Sequence, residues 1–261
     1  MMKTMVRVLG LTALPLLAAV CSSDHEPATL PLPVVARGGG LSAFVTAEGY
    51  TVELAELRVA LGDLQFTVGG ETHAGLLRDA RRALVREAFA HPGHYAGGEV
   101  TGQLAGAFII DAFAPGEVAL GTATLLEGDY HGANFTFRAA STEDGLAADD
   151  PLLGHTALMA GTASRAGAAY TFHAVLDIDA GTQMVGAPFT LALRAGAGAT
   201  LALAVLAVDP STEGDSLLDG VDFAALDPDG NHVVEILPGD AAHNIIRRTL
   251  QVHDHWWVDV R

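Results

Sequence analysis

From about residue 42 onward, hydrophobic and polar positions alternate along the chain. Tyr50-Thr51-Val52-Glu53-Leu54 and Leu64-Gln65-Phe66-Thr67-Val68 repeat with a period of two, and Gly69-Gly70 follows the second run as a turn. A period of two sends successive side chains to opposite faces of a strand. Further strands are expected at 99–112, 117–127, 133–140, 156–163, 169–178, 188–194 and 199–208. In Tyr170 to Ile178, Phe172, Ala174, Leu176 and Ile178 share the apolar face, and His173 falls on the polar one with Thr171 and Asp177. Arg165-Ala166-Gly167 and Gly196-Ala197-Gly198 read as hairpin turns. Many short strands with close-spaced turns predict a mainly β chain, an antiparallel β-sandwich with one or two short helices.

The helices come from the two places where the period changes. Leu77, Ala80, Leu84 and Ala88 recur at helical spacing within 75–89, surrounded by Arg78, Arg81, Arg82 and Arg86. That basic patch reads as a solvated helix face, with docking to an anionic partner as the alternative. The second is 240–250, where Asp240 can cap a helix carrying Ile245, Ile246 and Leu250.

The first 20 residues follow another rule. Lys3 and Arg7 precede an apolar run from Val8 to Val20, the layout of a secretory signal. The run is too short to span a bilayer, which takes about 20 apolar residues. The chain's single cysteine, Cys21, stands directly after it, in Leu17-Ala18-Ala19-Val20-Cys21-Ser22. This stretch resembles the lipobox of bacterial lipoproteins. That family prefers Leu three positions before the cysteine and Gly or Ala immediately before it, where Ala18 and Val20 stand here. The resemblance implies acylation of Cys21, anchoring in a membrane of the bacterial cell envelope and, through Ser22, sorting to the outer membrane, facing periplasm or exterior. Pro27, Pro31, Pro33 and Gly38-Gly39-Gly40 make 21–41 a tether. The expected organisation is thus a signal at 1–20, a lipid-anchor tether at 21–41 and a β domain at 42–261. The alternative is a soluble exported protein whose signal contains a cysteine.

Charge and composition narrow the partners. Thirty-one acidic and 14 basic residues leave a formal charge of −17, which repels phosphate backbones and argues against nucleic acid. One cysteine excludes an internal disulfide and a cysteine-rich zinc site. Eleven histidines nearly match the lysines and arginines together.

Two histidine pairs have spacing suited to a metal. In His91-Pro92-Gly93-His94, Pro and Gly suit the centre of a type II turn, which brings its first and fourth residues within about 7 Å at Cα. In His253-Asp254-His255, a strand over 251–259 would place Gln251, His253, His255, Trp257 and Asp259 on one face and Val252, Trp256 and Val258 toward the core. His91, His94, His253 and His255, with Glu99 as an oxygen ligand, are therefore the candidate site for Zn²⁺ or Cu²⁺. His131, His155 and His173 read as structural. Asp227-Pro228-Asp229-Gly230-Asn231 lacks the glycine and glutamate positions of an EF-hand and reads as a β-turn.

Nucleophile-elbow, zincin, P-loop and dinucleotide-binding motifs do not occur, and nothing identifies a general base, so an enzyme is the less favoured class. Tyr50 to Phe66, His91-Pro92-Gly93-His94 and Trp256-Trp257 give the chain a distant similarity to exported β proteins of copper handling, including the methanobactin-associated periplasmic proteins. That likeness implies copper as the ligand and assigns no site by position. The competing expectation is a structural or interaction β module without a metal.

Overall fold

The computed structural model describes residues 28–38, 43–68, 98–210 and 215–261. Cys21, the arginine-bearing segment 75–89 and the His91–His94 turn lie outside the described residues. Among the described residues, twelve strands belong to one hydrogen-bonded sheet. They are β1 (Thr29–Arg37), β2 (Phe44–Val45), β3 (Thr51–Val68), β4 (Glu99–Asp111), β5 (Glu117–Leu126), β6 (Gly128–Phe137), β7 (Ala157–Arg165), β8 (Ala168–Leu176), β9 (Gln183–Leu193), β10 (Leu201–Val205), β11 (Val233–Ile236) and β12 (Trp256–Val260). Among the described residues one α-helix, α1 (Ala241–Leu250), precedes β12. The chain is mainly β, as its alternation predicts. The sheet is mixed: β1 runs parallel to β10 and β11 parallel to β8, and the remaining pairs are antiparallel.

β3 organises the sheet. Its first half pairs with β7, and its second half pairs with β4 on one edge and β6 on the other. The alternation of Tyr50 to Leu54 translates directly into burial of Tyr50, Val52 and Leu54. Between the two expected short strands the chain stays extended. There Leu57, Val59 and Leu61 face the main core while Ala60 packs with Ala140, Leu152 and Leu158 in a second, smaller one. Gly161 lets β7 pass close to the bulge at Leu54/Glu56 in β3, since a Cβ there would stand 2.3 Å from the Glu53 carbonyl oxygen. The β7–β8 hairpin forms where expected, with Ala166 and Gly167 both at positive φ (53° and 88°), as a two-residue turn of type I′ demands.

Three expectations are corrected. Residues 29–37, assigned to the tether, form β1, whose Leu32, Val34 and Ala36 are core residues. Pro31 and Pro33 point outward, in the part of β1 that has β5 on one side but not yet β10 on the other, so their missing N–H groups break no ladder. The Gly196-Ala197-Gly198 turn does not make a hairpin, because β10 pairs with β1 and β12 rather than with β9. Finally, 251–259 is not one strand. Val252 N–H donates to Thr249 O and His255 N–H to Val252 O, so the chain leaving α1 makes a further 3₁₀ turn over His253–His255 before β12 begins.

The pairing order β9-β6-β3-β4-β5-β1-β10-β12 returns toward its starting point, because β9 and β12 run within 8 Å of each other at Cα. Trp256 of β12 points inward, with its ring 4.5 Å from Phe135 of β6. Nevertheless, among the described residues β9 pairs only with β6 and β12 only with β10. Pro188 supplies no N–H, and the register of β9 against β6 shifts on both sides of it, devices that keep a strand edge from zipping. Among the described residues the sheet therefore has a seam between β9 and β12 that is closed by packing and not by a strand ladder. No helix among the described residues is long and apolar enough to cross a membrane.

Candidate functional site

The seam opens outward as a groove of about 490 Å³ lined by His131, Pro188, Phe189, Thr190 and residues 257–260. Strand pleat decides which side chains reach it. In β12, Trp256 and Val258 are buried, so Trp257 and Asp259 point the other way, and the Trp257 side of that face is 44% exposed. His131 and Thr190 are exposed on the strands opposite. The groove thus combines an accessible indole, the edge of the buried Phe189 and a few polar groups, the mixture that small-molecule and peptide sites use. Asp259 is held by Arg37 at 3.3 Å and by Arg261 at 2.9 Å, and Arg261 also pairs with Glu117. A second depression, between β4 and β5, is lined by Val100 to Ala105, Thr122, Thr124 and Leu126 and carries neither an aromatic nor an ionisable group.

The sequence-predicted metal ligands are not brought together among the described residues. Glu99 is exposed at the start of β4, opposite Val68. A 3₁₀ turn has about three residues per turn, so His253 and His255 leave it in different directions instead of side by side. His253 pairs with the neighbouring Asp254 carboxylate. The buried His255 sets its Nδ1 3.1 Å from Leu206 O. Since a carbonyl only accepts, Nδ1 carries the proton, and burial holds the ring's pKa below its ordinary value. Among the described residues no three or more His, Cys, Asp or Glu side chains are placed to hold a metal ion. His91 and His94 lie outside the described residues, as does the lipid-attachment candidate Cys21.

Other polar clusters tie the fold together. The Tyr50 hydroxyl donates to Asp222 Oδ1 at 2.5 Å and accepts from Ala224 N–H at 2.9 Å. Arg165 lies over the Tyr50 ring at 4.0 Å and bonds the same carboxylate at 3.1 Å. Burial raises the pKa of Tyr50, and the tyrosine's hydrogen bond lowers that of Asp222. The cluster fastens the segment after residue 215 to the hairpin turns beside it. Arg138 bonds Leu61 O, Phe108 O and both oxygens of Asp144, and Arg58 grips Asp150 in a two-pronged pair. His155 pairs with Asp177 at 2.8 Å, and buried His243 accepts from Asp177 N–H at 3.1 Å. His173 is exposed opposite Ala160. In the Asp227–Asn231 turn, Gly230 N–H donates to Asp227 O while the Asp227 carboxylate accepts from Asn231 and His232 N–H groups.

Sequence reasoning placed Trp257 and Asp259 on one face but missed Pro188 to Thr190 and His131 as the opposite wall. The Trp256-Trp257 pair was the available signal, since a second tryptophan on a strand cannot share the core with the first. The chain matches no protein-family model, no curated protein and no solved structure in the comparisons made.

Proposed function

We propose that the chain is a lipoprotein of the bacterial cell envelope, acylated at Cys21 and held at the outer membrane, whose β domain is an interaction module binding through the β9–β12 groove. The observation that carries the reading is the accessible indole of Trp257 beside polar His131, Thr190 and Asp259 along an unzipped seam. Leader, cysteine and position of the apolar run support the anchor. The way the sheet folds back, so that β6 aromatics meet Trp256 of β12, supports reading it as two facing β layers, a sandwich closed along its edges. The metal reading has less support, because among the described residues no three His, Cys, Asp or Glu side chains are placed to hold an ion.

A photo-crosslinking residue at position 257, compared with one at exposed Val118 on β5, tests the groove in intact cells. A discrete adduct from 257 that is absent from 118 is expected, and the same adducts from both positions, or none, would refute the groove. Detergent phase partitioning of wild type and Cys21→Ser tests the anchor separately. Wild type is expected in the detergent phase and the variant in the aqueous one, and an aqueous wild type would end the lipoprotein reading.

A further inference from the structure

We propose that the β9–β12 groove binds a neutral saccharide, stacked on Trp257 and hydrogen-bonded by Asp259, His131 and Thr190. The inference rests on the groove reading above and names its ligand class. Pleat puts Trp257 and Asp259, two residues apart on β12, on one face of the strand, and Trp257 is 44% exposed. On the facing wall, the register of β6 against β9 shifts between the Tyr130–Leu191 and Gly132–Pro188 pairs, so His131 stands opposite both Phe189 and Thr190. Such a bulge re-aims side chains, and His131 and Thr190 are both exposed. Neither side chain has a hydrogen-bond partner among the described residues. Arg37 Nη1 and Arg261 Nε both donate to Oδ2 of Asp259. They fix the carboxylate and leave its Oδ1 without a partner among the described residues.

Charge decides the class of ligand. An indole beside an unanswered carboxylate suits a cation. Here Arg37 and Arg261 face Asp259 and Glu117, two positive charges against two negative, so the cluster is neutral. An anion fares no better, because both guanidiniums are engaged and the chain carries a formal charge of −17. Distance keeps a peptide strand out of the seam. β9 and β12 run within 8 Å of each other at Cα, whereas a strand between them needs about 9.5 Å, twice the ordinary spacing. What a ligand meets is an accessible indole with unengaged donors and acceptors around it. The face of the indole carries the negative part of its quadrupole and attracts the polarised C–H groups of a sugar ring. Each hydroxyl of that ring both donates and accepts. Such groups match the Asp259 Oδ1 acceptor, the Thr190 hydroxyl and a neutral His131 imidazole with one donor and one acceptor. The carboxylate is the strongest of the three, since a charged acceptor makes shorter and stronger hydrogen bonds. A groove of about 490 Å³ falls in the ordinary range of small-ligand sites and suits a short oligosaccharide.

Calorimetric titration of the full chain, in a detergent without a sugar headgroup, tests it. Cellohexaose, maltohexaose and chitohexaose are the neutral probes, and hexagalacturonate is the acidic control. At least one neutral probe is expected to bind with a Kd of about 1 mM or tighter, and hexagalacturonate more weakly. Trp257→Ala should weaken that binding about tenfold or more, because it removes the stacking surface. Thr190→Val keeps the side chain's shape and should weaken it about threefold to tenfold, the worth of one hydrogen bond. Both positions are exposed, so both variants are expected to keep the wild-type circular dichroism. No binding of any neutral probe at about 10 mM, preference for hexagalacturonate, or equal binding in wild type and the two variants would overturn the proposal. Its failure is separable from that of the groove. A discrete adduct from position 257 without saccharide binding overturns the ligand class alone, and loss of both removes the groove as well.

Discussion

Trp256→Phe is the most direct test of how the seam is held. The indole is buried, lies 4.5 Å from the Phe135 ring and 6.2 Å from Phe137, and donates its Nε1–H to Leu250 O at 2.8 Å, so it joins the end of α1 to the start of β12. Phenylalanine keeps an aromatic ring against β6 but removes the hydrogen bond. Losing a buried bond and leaving its carbonyl unpaired costs about 1–2 kcal/mol. Truncating an aromatic to alanine costs about 3–5 kcal/mol, and shrinking indole to phenyl should take roughly a third of that. The sum, about 2–3.5 kcal/mol, corresponds to a fall in Tm of roughly 4–14 °C for a domain of this size. Urea and thermal unfolding followed by far-UV circular dichroism measure it. The chain has two tryptophans, so the variant's fluorescence comes from Trp257 alone and should shift to the red, the signature of a half-exposed indole. A loss under about 1 kcal/mol would show that Trp256 does not pin β12, and emission that stays blue would show that Trp257 is not the half-exposed indole of the groove.

Two further outcomes follow from the polar contacts. Arg138 holds the Asp144 carboxyl below its ordinary range, so its contribution is present above about pH 4 and lost as pH falls through the lowered folded value. Asp144→Asn should cost about 1.5–3 kcal/mol in urea unfolding at pH 7, with the difference from wild type shrinking toward pH 2; a difference that grows in acid would contradict the assignment. In calorimetric titration with Zn²⁺ or Cu²⁺ at pH 7.5, His255→Gln is expected to change nothing, because the wild-type residue is only 3% exposed. Loss of micromolar binding in that variant would restore the metal reading.

What could be read from the sequence, and what could not, divides on how far a residue's environment depends on distant chain. Tyr50 to Leu54 and Phe172 to Ile178 announced their strands because one face is covered and the other is not. The middle of β3 was illegible for the opposite reason: Val59, Ala60 and Leu61 are all buried, Ala60 by the second small core, so no alternation survives there. β1 was hidden by prolines that are harmless only because β10 begins alongside at Val34, a pairing across more than 160 residues of sequence. The same dependence decides the histidines. A His-x-His spacing suits a metal if the backbone is a strand, and nothing within Gln251 to Trp257 forbids one. The end of α1 sets a 3₁₀ turn there instead, and Leu206, 49 residues earlier, offers the carbonyl that fixes the His255 tautomer. What His255 can do is thus set by the partner the fold supplies: Leu206 O takes the Nδ1–H and leaves Nε2 as the ring's one remaining lone pair.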